Sequence, residues 1–148
     1  MPAVDFKGIP EFVTALKDLD RHAYLVARQA VNNAGALLEA ETKKNLAKYS
    51  HKPGEPTPSA PGEPPALVSG ALRRSVRMRR SYSVEPGVWA VQVGPTSVYS
   101  RIQELGGHAG RRATLPARPY LAPALQRLID SGALRDVIEA TWRSAWRG

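Results

Sequence analysis

Residues 61–85 read PGEPPALVSGALRRSVRMRRSYSVE, and the fold turns on the change of pattern inside this stretch. Its first part is proline, glycine and small residues; its second carries five arginines, Arg73, Arg74, Arg77, Arg79 and Arg80. From Leu72 onward the chain alternates. Arg73, Ser75, Arg77, Arg79, Ser81, Ser83 and Glu85 share one parity, and Leu72, Val76, Met78, Tyr82 and Val84 the other, interrupted by Arg74 and Arg80. Period two predicts a half-buried strand with a wet, arginine-rich face, entered through one helical turn at Val68–Arg74. Glu85-Pro86-Gly87 is a turn signal, and Val88–Val93 is expected to return as the second strand of a hairpin that Gly94-Pro95 closes.

Upstream, residues 50–66 (SHKPGEPTPSAPGEPPA) hold neither helix nor strand, because proline removes backbone donors and glycine loosens the chain. A connection this long is expected to be an extended arm within a single domain spanning residues 1–148, ordered against a partner; the plainer alternative is a floppy surface loop. On the arm reading, truncating residues 53–64 impairs ring assembly or docking more than protomer stability. Before the arm, Phe12, Leu16, Leu19, Ala23, Val26, Ala30, Asn33, Leu37 and Ala40 recur at spacings of three and four, which predicts a helix from about Pro10 to Tyr49. Asn32-Asn33 and Gly35 are the expected break or kink. The stripe is thin and alanine-rich, which suits close packing on the domain's own sheet or on a neighbouring subunit.

Downstream, Val98, Ile102 and Leu105 predict a short helix over 97–105, and GGHAGRR (106–112) a mobile basic turn. Prolines hold Leu115–Tyr120 extended. A helix begins at Leu121 and is broken at Asp130-Ser131-Gly132. Leu134, Val137, Ile138, Thr141 and Trp142 mark a last amphipathic helix. The expected class is α+β: a long N-terminal helix, a long Pro/Gly loop, a small antiparallel sheet with a hairpin, and C-terminal helices packed on the sheet.

Composition bounds the function. The 148 residues suit one domain, and 43 % hydrophobic with 23 % charged residues is an ordinary globular balance. Cysteine is absent, so neither a disulfide framework nor a thiolate zinc site is open to this chain. The opening MPAVDFKG lacks a signal-peptide pattern, and no apolar run approaches the roughly 20 residues of a membrane span. A soluble protein made inside the cell, without a membrane partner, is the expectation. The formal charge of +8, carried more by arginine than lysine, favours an anionic partner and bidentate contacts to phosphate or carboxylate.

Catalytic chemistry has little to stand on. His22, His51 and His108 lack metal-ligand spacing, Ser69, Ser75 and Ser97 lack a nucleophile elbow, and the glycines at 106, 107 and 110 match no phosphate loop. Glu39 and Glu41 point to different helix faces. The reading is therefore no enzyme, no catalytic or metal residues and no cofactor, but a protein that works through its surfaces. For Arg73, Arg77 and Arg79 two uses stay open: sequence-independent contact with DNA, or salt bridges to an adjacent subunit.

Three blocks, PGEPPALVSGALRRSV, VGPTSVYSRIQELGG and LPARPYLAPAL, occur in this order over about residues 53–126. Together they resemble the neck and tail-completion (minor tail component) proteins of long-tailed bacteriophages. The matching positions are Ser69-Gly70, Leu72 and Ser75; Val93-Gly94; Tyr99, Glu104 and Gly106; and Ala117-Arg118-Pro119, Leu121, Pro123 and Ala124. Tyr120 stands where the family has phenylalanine, and the segment from Tyr99 to Glu104 is one residue longer than the family pattern. The resemblance implies a virion structural protein, made in the host cytoplasm and assembled as a closed ring, six subunits being the expected number. Its partners would be copies of itself, the head connector or stopper, and tail-tube or tail-terminator proteins, with transient DNA contact. Implied interface residues are Pro61, Gly62, Pro64, Pro65, Ser69, Gly70, Tyr99, Glu104, Arg118, Pro119 and Tyr120, with Arg118 expected to meet the carboxylate of Glu104. Arg73, Arg77 and Arg79 are the candidates for the channel. A stand-alone, nonspecific nucleic-acid-binding protein is the alternative.

Overall fold

The computed structural model describes residues 8–50, 59–110 and 113–147. Helix α1 (Ile9–Asn45) runs unbroken for 37 residues, about 55 Å at the usual rise. Pro10 sits in its first turn with Glu11, and Lys43 and Lys44 in its last, matching the helix dipole at both ends. The break expected at Asn33 and Gly35 does not occur. Asn33 instead donates its side-chain amide to Thr141 Oγ1 at 2.9 Å. At Gly35 an added Cβ would lie 2.7 Å from Met78 Sδ and 2.9 Å from Val91 Cγ1. Residues that weaken an isolated helix are here used for close packing across it.

The alternating stretch divides. Gly70, at φ +71°, starts a one-turn helix α2 (Ala71–Ser75), so Arg73 is helical and the strand begins only at Val76. Strand β1 (Val76–Met78) pairs antiparallel with β4 (Val93–Pro95), and β2 (Tyr82–Glu85) with β3 (Val88–Ala90). The two ladders form one interrupted hairpin, tied between them by Arg79 N–H donating to Gln92 O at 2.7 Å. Gly87, at φ +79°, makes its tip. Trp89 of β3 anchors the hairpin on α1, edge-on to Tyr24 at 4.7 Å and beneath the Arg28 guanidinium.

Helix α3 (Ser100–Leu105) forms where the short helix is expected, but Val98 and Leu105 of its apolar spacing are exposed. The mobile basic turn expected at 106–112 is in part a strand: β5 (Gly107–Ala109) lies within it and pairs antiparallel with β6 (Ala113–Leu115) as a second hairpin; Arg111 and Arg112 lie outside the described residues. Helices α4 (Leu121–Asp130) and α5 (Ala133–Ala145) follow, with Gly132 at φ +75° between them.

Leu46, Val76 and Tyr120 form the centre of the core, backed by Leu72, Val93 and Leu121. This joins the end of α1, the β1–β4 ladder and the head of α4, segments far apart in sequence. Along the rest of α1, where Val26 and Ala30 are buried, α4 and α5 pack against the helix. Helix α5 runs back along α1 until His22 meets the Ala145 carbonyl and the edge of Trp146. Beyond that point α1 stands clear. Every residue from Gly8 to His22 is exposed, including Ile9, Phe12, Val13, Leu16 and Leu19. The first part of the apolar stripe is therefore not core within the protomer.

Candidate functional site

The first helical turn of α4 needs acceptors for its free N–H groups. Glu104, at the end of α3, supplies them: its Oε2 accepts from Tyr120 N (2.8 Å) and Leu121 N (3.1 Å), and its Oε1 from Ala122 N (2.9 Å). Pro123 comes next and has no N–H to satisfy. The carboxylate also sits at the positive end of the helix dipole. Glu104 thus caps α4 and does not face Arg118, against the expectation from sequence.

Arg118 is buried and reaches the other way, its Nε donating to the Ser59 carbonyl at 3.0 Å. Its backbone N–H donates to Gln103 O at 2.7 Å, which ties the extended segment to α3. Pro119 keeps that segment from continuing α4 backwards. Gly106 lets the two approach: at φ +70°, a Cβ there would lie 2.8 Å from Ala117 N and 3.0 Å from Leu115 O. Tyr120 is 1 % exposed, with its hydroxyl donating to Ser100 O at 3.3 Å. Burial first, and then the nearby Glu104 charge, push its phenol up to about 12.

Part of the expected arm is held at the same junction. Gly62 N–H donates to Ala117 O at 2.9 Å, Tyr49 Oη donates to Glu63 Oε1 at 3.0 Å, and Leu67 N–H donates to Tyr49 O at 2.7 Å. Residues 59–67 therefore lie on their own protomer; the remainder of the arm expected at 50–66, residues 51–58, lies outside the described residues. Pro61 and Gly62 form an exposed turn, and Pro64 and Pro65 are half-buried. Ser69 is exposed; its Oγ accepts from Ala71 N at 3.3 Å. Of the implied interface residues, Glu104, Arg118, Pro119 and Tyr120 gather inside the protomer with the Pro61–Gly62 turn above them. Tyr99 stands apart, 75 % exposed.

The arginines form a second locus. Arg73 and Arg77 line an open cleft of about 410 Å³ together with Lys43 and Arg74, which sequence reasoning had not placed there. Its remaining lining is Leu67, Val68, Ser69 and Gly70. Arg79 is not in it, but borders a different recess with Leu38, Val91 and Leu125. The expected single strand face holding Arg73, Arg77 and Arg79 therefore does not exist, because α2 takes Arg73 off the strand.

Beside the cleft, Glu39 accepts from Met78 N at 2.6 Å and from Lys43 Nζ. The Lys43 hydrogen bond, then the Met78 N–H and the charges of Lys43 and Arg77, hold its carboxyl below the usual value against part-burial. Glu41 faces elsewhere and pairs with Arg127 at 3.2 Å. Helical spacing alone separates the two carboxylates, whereas Lys43 joined the cleft only through the chain reversal that lays α2 beside α1.

Among the described residues no helix is long and apolar enough to cross a membrane. Compared with protein-family models, curated proteins and solved structures, the chain matches none.

Proposed function

We propose that this protein is a structural subunit of the neck of a long-tailed bacteriophage, closing with copies of itself into a ring through which DNA passes. Six subunits is the expected number, and its neighbours are the head connector or stopper on one side and tail-tube or tail-terminator proteins on the other. The observation that carries the reading is the convergence of the family-like blocks. Glu104 and Gly106 of the second block and Arg118 to Pro123 of the third form one junction, and Gly62 of the first bonds to Ala117 beside it. Residues that resemble the family in sequence thus have a common structural reason to occur together.

The exposed end of α1 supports a surface-borne role. Ile9, Phe12, Val13, Leu16 and Leu19 present apolar area that a lone protomer leaves in water, and assembly would remove it. A ring built from head-to-tail contacts uses two different patches per subunit, which suits a protomer with a protruding helix at one end.

Light scattering and electron microscopy of the purified protein test the ring directly, and a phage lacking the gene tests its place. Closed rings, together with heads and tails that form but fail to join, are expected. A protein monomeric at all concentrations, or joined virions that lack it, overturns the proposal. The second reading, a stand-alone nonspecific nucleic-acid-binding protein, is favoured by the basic cleft; a persistent monomer that binds duplex DNA with steep salt dependence would select it.

A further inference from the structure

Four cationic side chains from three elements meet in one concavity: Lys43 from α1, Arg73 and Arg74 from α2, and Arg77 from β1. Among the described residues, no ion pair joins Arg73, Arg74 or Arg77 to a carboxylate, and the nearby Glu39 is already engaged by Lys43 and the Met78 N–H. Arg74 is held in place. Its Nη1 donates to Ser69 O at 2.9 Å and lies over Gly70, where a Cβ would come within 3.0 Å of it. The guanidinium has further N–H groups left to donate. A concave surface lined by one sign of charge concentrates its field, and arginine suits bidentate contact with phosphate.

We propose that this cleft binds the sugar–phosphate backbone of DNA without reading its sequence. Several cations in one cleft match a polymer of regularly spaced single charges better than one isolated anion. Among the described lining residues only Ser69 has an uncharged polar side chain, so the cleft offers a duplex mainly cationic contacts, and those made to phosphate position it without carrying sequence information. Arg79, in its separate recess, takes no part. The proposal deepens the DNA contact in the neck reading and rests on it only in naming DNA as the polyanion; ring closure and cleft binding can fail separately.

The test is fluorescence anisotropy with a fluorescein-labelled random-sequence duplex of about 20 base pairs, across a salt series. Arg73→Ala with Arg77→Ala is expected to weaken binding by about tenfold and to flatten the slope of log K against log salt by about 2. Arg101→Ala with Arg135→Ala removes the same charge from exposed sites elsewhere and is expected to lower affinity much less. In the unaltered protein, duplex DNA should protect Arg73, Arg74 and Arg77, but not Arg101, from phenylglyoxal, as read by mass spectrometry. Equal losses in the two double variants would mean diffuse charge and overturn the cleft. So would absence of duplex binding at low salt, lack of arginine protection, or tighter binding of an oligoglutamate of equal charge. Light scattering on the same samples reports ring formation independently.

Discussion

Glu104 shows how one side chain can organise a junction. Its carboxylate takes three backbone N–H groups at the head of α4, so Glu104→Ala leaves them without that acceptor next to a buried tyrosine. A loss of about 2 kcal/mol in urea denaturation is expected, with Glu104→Gln costing roughly half as much. Tyr120 makes a pH-dependent contribution. Its phenol rises from 10.0 to about 12 in the folded protein. Below pH 10 the contribution is fully present; as pH rises from 10 toward 12 the unfolded chain ionises first, and a few kcal/mol, about 3 at most, is lost. Tyr120→Phe should remove this alkaline step from a stability–pH curve while costing only about 1 kcal/mol at pH 7, the worth of the bond to Ser100 O. A Tyr120→Phe curve that still falls over that range would assign the step to another group.

Gly35 is the informative residue at the scale of elements. By propensity alone Gly35→Ala should stabilise a long helix by about 1 kcal/mol. Here the new methyl meets Met78 Sδ, which can move, and Val91, whose β-branched side chain is stiff. A net loss of about 1–2 kcal/mol is expected, and Val91→Ala should relieve part of it in a double-mutant cycle. Additive effects in that cycle would show that Val91 is not the obstacle. The breaker residues of α1 look alike in sequence whether they bend a helix or let a sheet approach it, because both uses require the absence of bulk. Alternation from Leu72 was similarly readable but not its division: the left-handed Gly70 diverts the chain into α2, and such a turn leaves the period of the side chains almost unchanged.

Across the whole molecule, the arm and the protruding helix make opposite predictions for protomer stability. Deleting residues 59–64 removes the Ser59 carbonyl from buried Arg118 and the Gly62 N–H from Ala117. The protomer itself should lose about 3 kcal/mol, because an arginine would be left buried without that acceptor. This runs against the expectation that truncation of residues 53–64 impairs assembly or docking more than protomer stability. Leu16→Asp lies on the exposed part of α1 and should change protomer stability by no more than about 0.5 kcal/mol. On the ring reading it abolishes self-association, seen as a fall in mass by light scattering. Unchanged assembly of Leu16→Asp would remove this face from the subunit contact.

The sequence by itself determined the mixed class, the long helix, the first hairpin with its Glu85–Gly87 turn and the two C-terminal helices. Those features follow from periodicity and from turn residues, which act over a few neighbouring positions. Tertiary structure alone decided that Glu104 caps α4, that Arg118 holds Ser59, and that Lys43 and Arg74 join Arg73 and Arg77 while Arg79 does not. Each of these depends on segments brought together by chain reversals, where an unsatisfied N–H, a buried guanidinium or a missing Cβ selects its partner by proximity. Local spacing in the sequence carries no record of that proximity.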